Sequence, residues 1–192
     1  MKLEARARIV AVKLLVGLLY PASSPSSRDW SREVLCAAFG VPERESDSFV
    51  FDHTGYYREI SPRLMRCFFS FEGLRHPSGL AGWKKLAIEL ERRSGVECME
   101  YAGYSGKRRV NIDPGYLDGA RVVLASTKDN AHRIYLEDDI YAEVTLCHRK
   151  SGWERFSYTF PDFRSGQYDS FLDKVRRDWQ NDVHNLKEGS CR

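Results

Sequence analysis

With 192 residues, 42% of them hydrophobic, 30% charged and 12% aromatic, this chain has the length of one domain and the composition of a packed globular protein. The aromatic share excludes a disordered, solvating chain. A formal net charge of +3 is too small to imply a nucleic-acid partner by itself, and basic clusters such as Arg92–Arg93 and Lys107–Arg109 are interrupted by acids, so they read as solvated faces.

The five cysteines are odd in number and contain no C-x-x-C pair, which leaves a zinc ribbon or redox dithiol without support. Free thiols in a reducing cytoplasm are expected. Basic Met1 to Arg8 followed by apolar Ile9 to Tyr20 imitates a secretory signal. Lys13 interrupts that run, however, and the run is too short to span a bilayer, so it reads as a first strand and no membrane partner is expected. One domain over residues 1–192 follows, with residues 1–12 and 188–192 as flexible ends.

Lys13 to Tyr20, K-L-L-V-G-L-L-Y, is continuously apolar, as in a central strand covered on both faces. After a loop from Pro21, Ser27 caps a helix that reaches Phe39 and stops at Gly40. Ser48 to Phe51 and Met65 to Phe71 are strands, joined by the extended D-H-T-G-Y-Y-R-E segment that begins at Asp52. A second helix runs from a Ser78 cap to Gly95, with Leu80, Trp83, Ala87 and Leu90 as its apolar stripe. Then come a strand at Arg108 to Ile112, a short helix at Asp118 to Lys128, strands at His132 to Leu136 and Ile140 to Cys147, and a return at Trp153 to Phe160. A last amphipathic helix carries Phe171, Val175, Trp179, Val183 and Leu186 on one face and frays from Glu188. The first six elements run strand, helix, strand, strand, helix, strand, the split βαβ order of ferredoxin-like domains. The expected class is α+β: an antiparallel or mixed sheet in that order, extended by C-terminal hairpins, plus a C-terminal helix.

Polar residues concentrate between Arg108 and Asp162. Strand alternation puts Arg109, Asn111 and Asp113 on one face, and N-I-D-P-G-Y closes with Tyr116. Two readings of Asp113 stand: Asp113-Pro114-Gly115 is a turn ending the strand, or a carboxylate is presented at a strand terminus beside an arginine. If Glu137, Asp138 and Asp139 form a hairpin turn, Leu136 pairs with Ile140, Tyr135 with Tyr141, Ile134 with Ala142 and Arg133 with Glu143. The bland account of the last pair is a wet cross-strand ion pair contributing ~0.2–1 kcal/mol. His132 falls on the apolar side, as a satisfied core histidine or as a ligand or acid/base group. His53 follows an apolar strand at its mouth, but Asp52 and His53 point to opposite faces and would not chelate one ion together. A two-histidine phosphoesterase needs H-x-S/T twice, and here the pattern is H-T and H-R. Asp162 in T-F-P-D-F is either a cap or a site residue, and Lys128 either a helix end or a ligand contact. G-Y-S-G-K at Gly103 to Lys107 is not a phosphate loop, because Walker A needs four residues between its glycines.

Seven ordered segments of this sequence resemble an uncharacterised prokaryotic family, domain-of-unknown-function family 4416. They are Lys13 to Tyr20, F-D-H-T-G-Y-Y at Phe51 to Tyr57, F-F-S-F-E at Phe68 to Glu72, R-R-V-N-I-D-P-G-Y at Arg108 to Tyr116, H-R-I-Y-L at His132 to Leu136, I-Y-A-E-V-T-L at Ile140 to Leu146 and T-F-P-D-F at Thr159 to Phe163. The family tends to carry glycine where Glu137 and Asp139 stand, and tyrosine where Phe160 and Phe163 stand. The resemblance implies no established activity. Some members carry a GTP-binding label, which the lack of a Walker A motif here leaves without physical support.

Three functions compete. In the first, a small anionic ligand, phosphorylated or nucleotide-like, is bound or processed at a carboxylate/Arg/His cluster. Its acid/base candidates are Asp113, Glu143, His53 and His132, its ligand-binding candidates Arg109, Asn111, Lys128, Arg133 and Tyr116, and its metal ligands Asp113, Glu143 and Asp162 around Mg2+ or Mn2+. The alternative is a non-catalytic RNA-binding or protein-interaction module stacking bases on Tyr135, Tyr141, Phe69 and Phe71, although the RNA-recognition consensus is absent. In the third, the polar cluster is a structural network fixing hairpins to the sheet. The sequence is silent on oligomeric state.

Overall fold

All nine residues of the first strand, β1 (Lys13–Pro21), are buried, Leu14 to Tyr20 as an apolar run requires and Lys13 through ion pairs with Glu43 and Asp182 at 2.7 and 2.6 Å. A computed structural model describes residues 11–98 and 108–189. The basic leader Met1 to Arg8, the G-Y-S-G-K stretch at Gly103 to Lys107 and residues 190–192 lie outside the described residues. Val12, expected in a flexible leader, is buried and bridged to Arg75.

β1 pairs antiparallel with β4 (Leu64–Phe71) on one side and β5 (Asn111–Leu117) on the other. β2 (Pro42–Glu45) and β3 (Phe49–Phe51) share the far edge of β4. Beyond β5 lie β6 (Arg121–Ser126) and β8 (Ile140–Arg149), and β8 carries both β7 (Ile134–Glu137) and β9 (Gly152–Arg155). The result is one large antiparallel sheet with helices on both faces, an α+β fold. On one face, α1 (Pro25–Phe39) and α2 (Leu80–Glu97) bury Leu35, Phe39, Ala87 and Leu90 against Leu14, Val16 and Leu18 of β1. On the other, α4 (Asp169–Gly189) packs Phe171, Leu172 and Val175 against Leu15, Phe68 and Leu146. The short α3 (Pro161–Arg164) precedes α4. Among the described residues no helix is long and apolar enough to cross a membrane.

Several expected boundaries move, each for a local reason. α1 begins at Pro25, whose fixed φ suits the first helical position, so Ser27 is buried inside the helix rather than capping it. Ser78 lies in a 3-10 turn, Pro77–Gly79, and α2 continues through Gly95. The short helix expected at Asp118 to Lys128 is strand β6. Asp118 Oδ1 accepts the Ala120 and Arg121 N–H groups at 2.8 and 2.9 Å, closing a tight hairpin, and the β-branched pair Val122–Val123 suits the strand that follows. The return expected over Trp153 to Phe160 is a strand only at β9. α4 remains helical past Glu188, to Gly189.

The β7–β8 hairpin keeps two expected pairs, Ile134 with Ala142 and Tyr135 with Tyr141, but a register shift pairs Ile140 with Glu137 instead of Leu136. The turn is therefore Asp138–Asp139 alone, both at positive φ (46° and 57°). All four β7 residues are exposed, so the face expected to be apolar is open to solvent there.

Candidate functional site

The strand expected to end at Ile112 begins at Asn111 and runs to Leu117, with Asp113-Pro114-Gly115 inside it rather than in a turn. The reason is that β5 is paired with β6 only from Gly115 to Leu117. At Gly115 the strands approach so closely that a Cβ would collide with the Val123 carbonyl oxygen and the Leu124 side chain. Beyond that point they part, and α2 takes over the open edge. Glu91 Oε1 accepts the Ile112 N–H at 2.8 Å, and Lys84 Nζ donates to the Ile112 carbonyl at 2.8 Å. In an antiparallel strand alternate residues turn their polar groups to the same edge, so Pro114 faces this edge too and its missing N–H removes no ladder bond.

The parting of β5 and β6 leaves a cavity of about 370 Å³. Its floor is built on Arg66, a β4 residue only 4% exposed. Arg66 Nη2 lies 3.5 Å from Asp113 Oδ2, and Nε lies 3.4 Å from Asp162 Oδ2 without hydrogen-bond geometry. The guanidinium also sits over the Phe51 ring, 5.0 Å from its centroid, and Phe51 stacks on Phe160. Asp113 further accepts from Asn111 Nδ2 at 2.7 Å and Lys84 Nζ at 3.3 Å. Burial alone would raise the Asp113 carboxyl, but Lys84, Arg66 and Asn111 hold it below the ordinary aspartate range. Burial pushes the Glu91 carboxyl up, against the opposing pull of Lys84, the Ile112 N–H and Arg108. Asp162 is fully buried and accepts the Tyr168 hydroxyl at 2.9 Å.

The opposite wall comes from β8. Glu143 Oε2 accepts Arg133 Nε at 2.8 Å and lies 3.2 Å from His132 Nε2. Arg133 Nη1 also donates to Ser126 Oγ at 2.7 Å and to the Lys128 carbonyl at 2.9 Å, so one guanidinium fixes the loop after β6. His132 stacks flat on Tyr158, centroids 4.2 Å apart. Two residues beyond Glu143, Thr145 is the extra residue of a bulge: Val122 pairs with Leu146 and Val123 with Val144. Thr145 lines the cavity, and its hydroxyl is buried with no hydrogen-bond partner among the described residues. At the mouth Lys128 Nζ lies 3.2 Å over the Tyr56 ring, bridging two loops.

Of the expected site residues, Asp113, Glu143, Asp162, Asn111, Lys128 and Arg133 line this one cavity. His132 adjoins it through Glu143. Arg109 does not join them. It precedes β5, outside the strand alternation, and lines a separate hollow with Ser24, Ile60 and Arg63. Tyr116 packs with Leu80 and Val123 between β5, β6 and α2, and burial raises its phenol. His53 stands outside, edge-on to Phe51 and 3.9 Å from Asp52. Asp113, Glu143 and Asp162 share the cavity without forming a metal cluster: among the described residues no three His, Cys, Asp or Glu side chains are grouped to hold an ion. Phe69 and Phe71, expected as an RNA-stacking surface, are fully buried in the core, because that face of the sheet is covered by α1 and α2.

The family model for a domain of unknown function, DUF4416, matches residues 10–179. This chain belongs to that family. No curated protein and no solved structure matches it. Five of the segments quoted for the DUF4416 resemblance contribute cavity residues: Tyr56 and Tyr57, Asp113, Arg133, Glu143 and Thr145, Phe160 and Asp162. Sequence reasoning missed Arg66, Lys84, Glu91 and Thr145. Three of them carry a usable signal, since Arg66 interrupts an apolar strand and Lys84 and Glu91 stand on the Leu80–Ala87 stripe of a helix that should bury that face. Thr145 has none, because a bulge is invisible to alternation.

Proposed function

We propose that the cleft between β5 and β6 binds a small anionic ligand, phosphorylated or nucleotide-like. The observation that carries this reading is Lys128. The cavity is lined by Arg66, Lys84, Arg108, Lys128 and Arg133, and among the described residues every one except Lys128 has a carboxylate partner. Lys128 is held at the mouth only by an aromatic face, which leaves its charge for an incoming anion. The volume falls within the range of small-molecule sites, about 300–1,000 Å³, and Tyr56, Tyr57 and Phe160 supply the flat apolar surface such sites use. Asp113, Glu143 and Asp162 are already engaged by cationic or hydroxyl donors, so the reading assigns the ligand's charge to Lys128 and not to a bridging Mg2+ or Mn2+. Two further points belong to the same reading. The sheet order β2–β4–β1–β5, with α1 and α2 on one face, supports a ferredoxin-like core, and the thiols of Cys36, Cys67 and Cys147 suit a reducing cytoplasm.

A thermal-shift series with nucleotides and sugar phosphates tests the proposal. A ligand at ~100 times its dissociation constant stabilises by about 2.7 kcal/mol. Lys128→Ala is expected to abolish that shift while leaving the ligand-free melting temperature unchanged. A shift that survives the substitution overturns the proposal.

A further inference from the structure

The cavity is too wide for a bare anion and too fully ion-paired for a highly charged one. Resting on the anion site just proposed, we infer that its ligand is one phosphomonoester carried on a hydroxylated ring, as in a sugar phosphate or a nucleoside monophosphate, and not a di- or triphosphate. Charge is the first argument. Four acids, Glu91, Asp113, Glu143 and Asp162, line the same walls as the five cations. Arg66 lies between Asp113 and Asp162, Lys84 is held by Asp113, Arg108 by Glu91 and Arg133 by Glu143. Among the described residues, Lys128 alone offers a charge that no carboxylate has answered. A triphosphate would drive its additional charges against carboxylates whose cations are already engaged, in a partly dehydrated space where like-charge repulsion is large.

The second argument is the Thr145 hydroxyl. Thr145 is 1% exposed and lines the cavity, and among the described residues its hydroxyl has no hydrogen-bond partner, although nearly all buried polar groups in folded proteins have one. The backbone around it is built deliberately. A β-bulge re-aims this residue, the Thr159 hydroxyl donates to the Thr145 carbonyl at 2.8 Å, and the Tyr158 hydroxyl donates to the adjacent Val144 carbonyl at 3.2 Å. A hydroxyl both gives and accepts a hydrogen bond, so its natural complement is a neutral ligand hydroxyl or ring oxygen. The ligand therefore has a charged end at the Lys128 mouth and an uncharged, oxygen-rich end at Thr145.

Calorimetric titration of the full chain with ribose 5-phosphate, adenosine monophosphate, adenosine triphosphate and inorganic phosphate decides the matter. At least one of the two organic monophosphates is expected to bind ten-fold or more tightly than the triphosphate and inorganic phosphate, and which one it is tells whether the ring comes from a free sugar or a nucleoside. Thr145→Val keeps the shape and removes only the hydroxyl. It should weaken the favoured monophosphate about ten-fold, leave inorganic phosphate unaffected, and not lower the melting temperature. Triphosphate binding as tight as the monophosphates, or monophosphate binding indifferent to Thr145→Val, overturns the inference while leaving the anion site standing. If none of the four binds, or if Lys128→Ala changes none of the affinities, the anion site itself fails and the inference falls with it.

Discussion

The Arg66 guanidinium occupies the space above Gly17 that any other residue's side chain would fill: an ideal Cβ there would stand 3.1 Å from Nη1 and 3.1 Å from the Phe68 ring. Gly17 pairs with Phe68 of β4 and Asp113 of β5, so the bare backbone of β1 is the ground over which Arg66 reaches from one neighbouring strand to the carboxylate of the other. Gly17→Ala is expected to displace the guanidinium and cost about 1–3 kcal/mol, as overpacking of a tight interior does. Thermal unfolding measures this directly, and an unchanged melting temperature would show that Arg66 is free to move aside.

Asp113 has a sign that pH can read. Its folded-state pKa lies below the ordinary aspartate range, so its ion pairs stabilise the protein above that range, and the stabilisation is lost as pH falls through the folded value. Asp113→Asn leaves Lys84 with Glu91 and Arg66 with Asp162 in a largely buried setting. It is expected to cost about 3 kcal/mol near neutral pH, roughly 6–12 °C in melting temperature. The variant should also lose less of its remaining stability than the parent protein when pH is lowered into the acid range. A parallel pair of stability–pH curves would remove Asp113 as a titrating contributor.

These two residues mark what the chain's local patterns reveal and what they hide. β1 is legible because an unbroken apolar run has to be covered on both faces. The Tyr135–Tyr141 register is legible because two-residue periodicity survives in both strands. That register placed Arg133 and Glu143 together, and they meet at 2.8 Å in the cavity. Of the two readings of Asp113-Pro114-Gly115 the turn fails, because local rules cannot see that the neighbouring strand departs at that point, which is the condition that lets an aspartate and a proline sit inside a sheet. The same departure opens the cavity that Arg66, Lys84 and Glu91 line, while Thr145 is hidden by its own bulge. Strand and helix patterns mark Arg66, Lys84 and Glu91 as charges on faces that should be buried, but their partners lie 21 to 47 residues away, and local spacing does not name them.

The β7–β8 turn offers a separate test away from the cavity. Asp138 and Asp139 both adopt positive φ, which asparagine, aspartate and glycine tolerate and glycine tolerates best. Asp138 is committed to Lys85 at 2.8 Å, so the relief should come at its neighbour. Asp139→Gly is expected to stabilise by about 0.5–1 kcal/mol with no change in ligand binding. Denaturant titration would expose the opposite result as a shift of the midpoint to lower concentration.

Arg133 is a positioning residue, and its planar fork is the reason. Nε reaches Glu143 while Nη1 ties down Ser126 Oγ and the Lys128 carbonyl, so the backbone that presents Lys128 is anchored to the β8 wall through one side chain. A lysine at this position can keep the charge opposite Glu143, but a single ammonium on a flexible stem does not reproduce three bonds in a fixed plane. Arg133→Lys is therefore expected to leave the cavity's net charge unchanged and still weaken phosphomonoester binding about ten-fold, by loosening the placement of Lys128. Its melting temperature should fall by no more than a few degrees, because His132 remains 3.2 Å from the same carboxylate oxygen. Calorimetry on Arg133→Lys beside Lys128→Ala separates positioning from contact: the double substitution should be no weaker than Lys128→Ala alone. Additive losses would mean that Arg133 meets the ligand itself.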